Sequence, residues 1–295
     1  MEKLFTSSAF LPEFIFGSLK GSIVDYILSS YMLNMRLVRM YYWRPEIQIH
    51  CGKVYNHLDE DVKTFVHVHS QTPFGGIYHA KFVLITTDQC LRFIAMTTNI
   101  TNQMVENCEN DYYILDIPKS AKVRTNYTQN EMILKKYLEY MKICTKNDIS
   151  DYEWEGVNAH FMVSLPGEVT HTMCWMMIHP ESRSSKGRAT IQTTTGQLKY
   201  DIKPLLGVQH CKFIYGEPSK TMDWLMYDLN SDAYELEKAA STTPFHIKRY
   251  IIYYTQPAYE KWFIVTSANL TASAWGNAQR YCKNVELGIA WNCKG

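Results

Sequence analysis

Residues 243–275 read TPFHIKRYIIYYTQPAYEKWFIVTSANLTASAW, and this stretch decides the fold. It contains two apolar, β-branched runs separated near Pro257, a pattern that predicts two strands joined by a turn. His246 and Lys248 open the first run, and Asn269 follows the second. The stretch is therefore expected to form a β-hairpin with a His, a Lys and an Asn at its open end.

A second copy of this design lies upstream at residues 74–110, which read FGGIYHAKFVLITTDQCLRFIAMTTNITNQMVENCEN. His79 and Lys81 open it, a turn is expected at residues 87–90, and Asn99 closes it. Side chains alternate along a strand, so the His and the Lys share one face. An antiparallel register about the expected turn places the Asn across from the His in both copies. Each copy thus offers an imidazole, an ammonium group and a carboxamide, which together suit one phosphate group.

The two copies carry H-x-K followed by Asn, 18 positions after the Lys in the first copy and 21 in the second. This pattern resembles the paired HKN signature of the tyrosyl-DNA phosphodiesterase family, a branch of the phospholipase D superfamily. The words PFHIKRY, VTSANLTASAWG and VELG are similar to the family's second motif. The resemblance implies an α/β fold of two pseudo-symmetric αβα sandwich lobes, each with a mixed sheet and one HKN motif. We expect the N-terminal lobe at residues 1–149 and the C-terminal lobe at residues 150–295.

The same resemblance implies a metal-independent phosphodiesterase that uses no cofactor. Its expected substrate is the 3′-phosphotyrosyl DNA left by a stalled type IB topoisomerase, hydrolysed through a covalent phosphohistidine. The resemblance implies that His79 is the nucleophile and that His246 is the general acid and base. The spacing alone does not decide which of the two histidines is the nucleophile. The groups expected to hold the non-bridging phosphate oxygens are Lys81, Lys248, Asn99 and Asn269. The expected partners are DNA with a 3′ adduct, as a single-stranded end, and a topoisomerase-derived peptide.

Two further polar residues are expected near the histidines. Glu286 lies on what should be the last buried strand, where an isolated carboxylate is costly. Its expected partner is His246, whose pKa it would raise, and a structural salt bridge is the alternative. The family has Gln eleven residues after the first Asn, whereas this chain has Asn110 there. Asn110 is therefore a candidate for orienting His79, and the departure leaves that role open.

Five residues are candidates for binding DNA. Phe74 matches a family aromatic that stacks on a base, although a core or turn Phe explains it equally well. Thr194 and Thr195 lie in TTTGQL, which resembles a family segment that contacts DNA phosphates, and a strand-to-helix cap is the alternative. Ser267 and Thr271 belong to the second motif, and Thr271 also fits the start of a helix.

Local patterns predict the elements around the first motif. Residues 23–35, IVDYILSSYMLNM, have helical spacing, and residues 35–43, MRLVRMYYW, are typical of a strand that Pro45 ends. EIQIHCG and DVKTFVHVHS alternate as short strands, and residues 127–146 are typical of a helix. His67 and His69 form an H-x-H on the second of these strands, where a plain strand face is favoured over a pair of metal ligands.

Length and composition set outer bounds. The 295 residues are enough for two lobes with their own cores. A net charge of +1 excludes a strong global field for nucleic acid, so DNA binding requires a local groove. Eight cysteines without C-x-x-C spacing argue against a zinc ribbon and favour a reduced, intracellular protein, located in the nucleus or wherever the DNA is. No apolar run approaches the length of a membrane span, so no membrane partner is expected.

Two other functions compete with the favoured one. The chain is short for the family and altered around Asn110, which suits a related phosphodiesterase acting on another 3′ adduct, RNA or a small nucleotide. The third possibility is a non-catalytic module that binds nucleic acid. The intact His, Lys and Asn of both copies argue against it.

Overall fold

The fold consists of two β-sheets flanked by short helices, seen here in a computed structural model. The structure describes residues 2–7, 12–55, 64–122, 126–167, 187–193, 206, 208–215, 234–238, 246–254, 260–269, 271–275 and 282–292. The strands are β1 Glu2–Ser7, β2 Ile23–Asn34, β3 Ile47–Tyr55, β4 Val66–Val68, β5 Phe82–Thr87, β6 Cys90–Met96, β7 Asn110–Pro118, β8 Ala159–Ser164, β9 Gly187–Thr193, β10 His210–Tyr215, β11 Tyr234–Lys238, β12 Lys248–Tyr254, β13 Glu260–Thr266 and β14 Glu286–Asn292. The α-helices are α1 Pro12–Phe16, α2 Met35–Leu37, α3 Asn102–Glu106, α4 Gln129–Tyr140 and α5 Ala272–Trp275.

The two sheets repeat one topology. The first has the strand order β1-β7-β6-β5-β2-β3-β4, and the second has the order β8-β14-β13-β12-β9-β10-β11. Each strand of the second sheet thus corresponds in position to the strand of the first sheet whose number is lower by seven, for example β8 to β1 and β14 to β7. In both sheets the last three strands of this order are parallel to one another, and the other pairs are antiparallel. The predicted α/β fold of two lobes with mixed sheets is confirmed, while the lobe boundary at residues 149 and 150 stays a prediction.

The first predicted hairpin is formed by β5 and β6, and the second by β12 and β13. Phe82 pairs with Ala95 and Arg249 with Val265, and the motif residues lie just beyond these paired ends. Continuing either register puts the Asn one residue past the position directly opposite its His, so the expected alignment was off by one. The turn expected at Pro257 lies outside the described residues.

Two predicted elements before the first motif are wrong. The segment at residues 23–35 is not a helix, because nearly all of it is strand β2. This strand runs between β3 and β5 and is buried on both faces, so its apolar residues do not alternate. The segment at residues 35–43 is not a strand, because it forms α2 and then a π-helical turn, Val38–Tyr42.

The other predicted elements are present. Strand β3 covers nearly all of the first alternating segment, β4 covers three residues of the second, whose first residues lie outside the described ones, and α4 lies inside residues 127–146. Thr128 and Glu131 form a capping box at the start of α4, which satisfies two backbone N–H groups that would otherwise lack partners. Leu134 and Leu138 are buried, and α4 packs against β8. No helix among the described residues is long and apolar enough to cross a membrane.

One apolar core joins the two sheets. Phe93 of β6 packs edge-on against Phe161 of β8 with ring centroids 4.7 Å apart, and Tyr113 of β7 lies 4.3 Å from Trp291 of β14. Fully burying a large apolar side chain stabilises a fold by roughly 1.5–3 kcal/mol. The shared core therefore holds the two sheets against each other and brings the open ends of the two hairpins together.

Candidate active site

The first motif is attached directly to the second sheet. Tyr78 forms a parallel bridge with Val285, the residue before β14. The backbone N–H of His79 donates to the carbonyl of Val285 at 2.9 Å, and the N–H of Val285 donates to the carbonyl of Ile77 at 3.0 Å. This pairing places His79 beside the first residue of β14, Glu286.

His79 and Glu286 are hydrogen-bonded partners, with 2.9 Å between Nδ1 and Oε2. The prediction that Glu286 pairs with His246 is therefore wrong. The backbone bridge between the two sheets determines the pairing, and it connects residues 207 positions apart. A carboxylate only accepts hydrogen bonds, so Nδ1 of His79 carries the proton and Nε2 keeps its lone pair.

Glu286 is fully buried, and both its oxygens have donors. Ser267 Oγ donates to Oε2 at 2.6 Å, and Asn284 Nδ2 donates to Oε1 at 3.1 Å. Burial alone would raise the pKa of Glu286, but the contacts with His79, Lys81 and Ser267 outweigh it and leave that pKa below its ordinary value. The buried Ser267 hydroxyl is therefore a partner of the carboxylate, which corrects its prediction as a DNA-binding group.

Asn110 does not touch His79, so its predicted orienting role is wrong. Its Nδ2 donates to the carbonyls of Met104 and Cys108, both at 2.8 Å. The carboxamide thus closes the loop that follows Asn99, and it is too short and too occupied to reach an imidazole.

His246 is held by the backbone of the first sheet instead. Its N–H donates to the carbonyl of Glu109 at 2.7 Å, and the backbone of Thr97 acts on its ring by raising the pKa. Thr97 is fixed in turn, because its Oγ1 accepts from the N–H of Asp111 at 3.0 Å and its own N–H donates to the carbonyl of Asp111 at 3.1 Å. Each histidine is therefore oriented by groups of the opposite sheet.

The two lysines are equivalent in the two motifs. Lys81 Nζ donates to the carbonyl of His79 at 2.9 Å, and Lys248 Nζ donates to the carbonyl of His246 at 3.4 Å. Burial lowers the pKa of Lys248 to about 7 although Glu286 and Asp111 oppose the shift. Burial, reinforced by the charge of Lys248, holds the pKa of Lys81 well below its usual range. Two buried ammonium groups without a bound anion are unfavourable, so an anion that contacts both would be stabilised.

The histidines also have lowered pKa values. Burial lowers the pKa of His79 to about 4 against the opposing effect of Glu286. Burial, followed by the charges of Lys248, Lys81 and His79, places the pKa of His246 well below its ordinary value. His79 is bonded to the backbone of Val285 and His246 to that of Glu109, so both motifs lie where the two sheets meet. A bound phosphate anion would offset the positive charges and raise the pKa of His246.

The two asparagines end their hairpins in the same way. The N–H of Thr101 donates to the carbonyl of Asn99 at 2.9 Å, and the N–H of Thr271 donates to that of Asn269 at 2.8 Å. In both copies a short helix follows, and Thr271 Oγ1 accepts from the N–H of Ala274 at the start of α5. The two asparagines thus occupy equivalent positions at the ends of their hairpins, and their role at the phosphate site stays a prediction.

Comparison with known proteins shows which proteins this chain resembles. Residues 208–294 match the family model described as tyrosyl-DNA phosphodiesterase. The structure of yeast tyrosyl-DNA phosphodiesterase superposes on 99% of this chain and 90% of its own with a TM-score of 0.72 and 15% identity. The chain has the tyrosyl-DNA phosphodiesterase fold. A single-residue variant of the yeast enzyme gives a TM-score of 0.74 at 14% identity over the same shares of both chains.

A phosphatidylserine synthase from Haemophilus influenzae is less similar, with a TM-score of 0.54 and 12% identity over 99% of this chain and 82% of its own. No curated protein sequence matches. The predicted resemblance to the tyrosyl-DNA phosphodiesterase family is confirmed by the match over residues 208–294 and by the fold, and the match supports the predicted phosphodiesterase activity.

Of the predicted DNA-binding residues, Phe74 has the most informative position in this fold. It is 63% exposed, and its φ of 69° is unusual for a bulky side chain. Gly76 follows, and a Cβ there would lie 1.9 Å from the carbonyl of Lys283, so only glycine allows this loop to pack against the second lobe. The ring lies against Gly167, where a Cβ would be 2.5 Å from Phe74 Cε2, and the binding of DNA by Phe74 stays a prediction. Thr194 and Thr195 lie outside the described residues.

The sequence reasoning missed Tyr31 and Asn284. The ring of Tyr31 lies 5.1 Å from the ring of His79, and Lys81 Nζ lies 5.9 Å from its centroid. The wrong helix prediction for β2 concealed Tyr31. Asn284 did carry a signal, because it is two positions from Glu286 and therefore on the same side of an extended chain.

His67 and His69 form part of a stack on the first sheet. The ring of His50 lies 4.7 Å from that of His67 and 5.3 Å from that of His69, with interplanar angles of 18° and 13°. Nδ1 of His50 lies 3.1 Å from Nε2 of His69, so these two nitrogens are hydrogen-bonded to each other rather than directed at one ion. Among the described residues, no group of His, Cys, Asp and Glu has the arrangement of a metal site.

Proposed function

We propose that this protein hydrolyses 3′-phosphotyrosyl DNA in two steps through a phosphohistidine on His79, and so removes stalled topoisomerase from DNA. The observation that carries the proposal is the contact of each motif with the opposite lobe, since His79 is hydrogen-bonded to Glu286 and the N–H of His246 donates to the carbonyl of Glu109. The family match and the yeast enzyme, both named for tyrosyl-DNA, support the substrate class.

In the first step, Nε2 of neutral His79 attacks phosphorus. The bond between phosphorus and the tyrosyl oxygen breaks, its electron pair stays on that oxygen, and His246 supplies the proton. The lowered pKa of His79 suits a nucleophile that must be unprotonated at neutral pH. Glu286 stabilises the positive charge that develops on the ring as the phosphorus–nitrogen bond forms.

In the second step, His246 takes a proton from water, and the water oxygen attacks phosphorus. The phosphorus–nitrogen bond breaks, which returns neutral His79 and leaves a 3′-phosphate on the DNA. Lys81, Lys248, Asn99 and Asn269 hold the non-bridging oxygens in both steps, since four fixed donors can balance the charge on the transferring group. Tyrosine has a pKa near 10, which makes the phenolate a tolerable leaving group.

Three features are proposed for substrate binding. Phe74 stacks on a base near the 3′ end, an interaction worth roughly 1–3 kcal/mol that tolerates any sequence. The helix that begins after Thr271 lies next to the phosphate site through Asn269. A single-stranded 3′ end and a short topoisomerase-derived peptide are the ligands proposed for the two sides of the site, and the protein would act wherever that DNA is.

The test is turnover of a substrate panel in the presence of EDTA. The panel contains single-stranded DNA with a 3′-phosphotyrosyl end, the same strand with a 5′-phosphotyrosyl end, a 3′-tyrosyl RNA and an unmodified strand. We expect the first substrate alone to be converted to its 3′-phosphate, and a His79→Ala variant to be inactive. Turnover of the RNA or the unmodified strand in preference would favour a related phosphodiesterase with another substrate. Binding of DNA without turnover would overturn the proposal and favour a non-catalytic module.

A further inference from the structure

Asn284 connects the two members of the His79–Glu286 pair. Its Nδ2 donates to Glu286 Oε1 at 3.1 Å, and its Oδ1 accepts from the backbone N–H of Ile77 at 3.3 Å. Its own carbonyl accepts from Ser164 Oγ at 3.1 Å. One nearly buried carboxamide therefore contacts both the carboxylate and the backbone that carries the nucleophile.

The two oxygens of Glu286 are distinguished by their donors. Oε2 accepts hydrogen bonds from His79 and Ser267, and Oε1 accepts one from Asn284. The terminal torsion angle of a glutamate side chain has a broad range of allowed values. A carboxylate with a donor on only one oxygen would therefore rotate and exchange its two oxygens. With a donor on each oxygen, rotation would break a buried hydrogen bond, which is costly at a charged group.

The contact with Ile77 acts on the other partner. Ile77 lies two residues before His79, and its carbonyl is already bonded to Val285. Asn284 takes the N–H of the same residue, so both backbone groups of Ile77 are fixed to the segment that leads into Glu286.

We propose that Asn284 is a positioning residue for the nucleophile. It holds Glu286 so that Oε2 keeps the proton on Nδ1 of His79 and leaves Nε2 free to attack phosphorus. The proposal rests on the function proposed above and adds a residue that neither the HKN pattern nor the ELG word contains.

Asn284→Asp is the decisive variant, because the side chain keeps its shape and keeps Oδ1 as the acceptor for Ile77. When the new carboxylate is ionised it cannot donate to Glu286, and when it is protonated it can. The expected kcat is about ten- to a hundredfold below that of the original protein at alkaline pH and recovers as the pH falls, with KM little changed. Asn284→Ala should lose kcat at every pH, since its side chain never donates.

The matched control is Asn158→Asp, a carboxamide of the same lobe that donates to the carbonyl of Asn292 at an exposed position. Its pH profile of kcat should follow that of the original protein. A profile of Asn284→Asp parallel to this control would overturn the proposal. So would a loss that is equal at all pH values and accompanied by a lowered melting temperature, which indicates a structural role. Failure of the original protein to turn over any 3′-tyrosyl substrate would instead count against the proposed function.

Discussion

At the scale of residues, the site is built reciprocally. His79 of the first lobe depends on Glu286 of the second, and His246 of the second depends on the backbone of Thr97 and Glu109 of the first. The two supports differ chemically, because one is a carboxylate and the other is neutral backbone. Glu286 stabilises a positive ring on His79, which a nucleophile acquires, whereas the neutral carbonyl leaves His246 able to release its proton.

Replacement of His246 by Ala should trap the covalent intermediate. A phenolate leaves without much help from an acid, so His79 can still attack a 3′-tyrosyl substrate. Water then lacks its base, and the second step slows by about a hundredfold or more. A DNA-linked band should therefore accumulate on a denaturing gel, and it should be absent from the double variant with His79→Ala. Turnover of His246→Ala at the original rate would contradict the assigned roles.

Sulfate binding should strengthen as the pH falls through 7. The pKa of Lys248 is about 7, so the ammonium form that attracts an anion is lost above that pH, while sulfate itself keeps its charge. We expect affinity measured by calorimetry to weaken by about tenfold between pH 6 and pH 8. Lys248→Met should bind more weakly with a flatter pH dependence, and an equally steep dependence in that variant would assign the titration to another group.

At the scale of elements, the hairpins were predictable and the segment before them was not. Strands β5 and β12 are predictable because each is an apolar run between polar residues. The HKN residues flank the open end of each hairpin. Strand β2 is covered on both faces, and a run of that kind has no alternation to separate it from a helix. The one-residue error in register has a similar origin, since the residues nearest the site lie beyond the last paired positions.

The contacts between lobes were the other unpredictable part. Sequence spacing constrains residues within one hairpin, but the partner of His79 is set by a bridge to Val285 that depends on how the two sheets pack. The sequence therefore predicted Glu286 as a site residue and assigned it to the wrong histidine, while the roles of the six triad residues stay predictions. The role of Ser267 was missed for the same reason, because its hydroxyl faces Glu286 across two adjacent strands.

The pair formed by Asp111 of β7 and Arg249 of β12 should stabilise the junction of the lobes. Arg249 Nε donates to Asp111 Oδ2 at 2.9 Å, its terminal nitrogen contacts the other oxygen, and Asp111 is fully buried. Asp111→Ala leaves a partly buried guanidinium without its partner and should lower the free energy of unfolding by about 3 kcal/mol. Urea denaturation measures this. Lys135→Ala, at the exposed pair with Asp148, should cost less than about 1 kcal/mol, and equal losses would contradict the assignment.

At the scale of the whole molecule, the repeat explains why the site holds so many unfavourable charges. Two copies of one topology face each other, so each ionisable group of a motif meets its own equivalent, Lys81 with Lys248 and His79 with His246. A core shared between the sheets supplies the stability that offsets this repulsion. Under the proposed function, the phosphate of the substrate would offset this repulsion when it binds between the two motifs.

The same buried histidines should make the protein sensitive to acid. Burial, with His67 and His69 nearby, lowers the pKa of His50 to about 3, and that of His79 is about 4, whereas both are near 6.5 when unfolded. Below pH 6.5 the unfolded chain therefore binds protons at positions where the folded protein does not. The free energy of unfolding consequently decreases as the pH is lowered. Each of the two histidines should account for about 2 kcal/mol of lost stability between pH 7 and pH 5, since one proton contributes about 1.4 kcal/mol per pH unit. Urea denaturation of His50→Gln should show a slope smaller by one proton, and His50→Gln combined with His79→Gln a slope smaller by two. An unchanged slope in His50→Gln would mean that the folded protein accepts a proton at that position, and the stacked rings would then have to separate in acid.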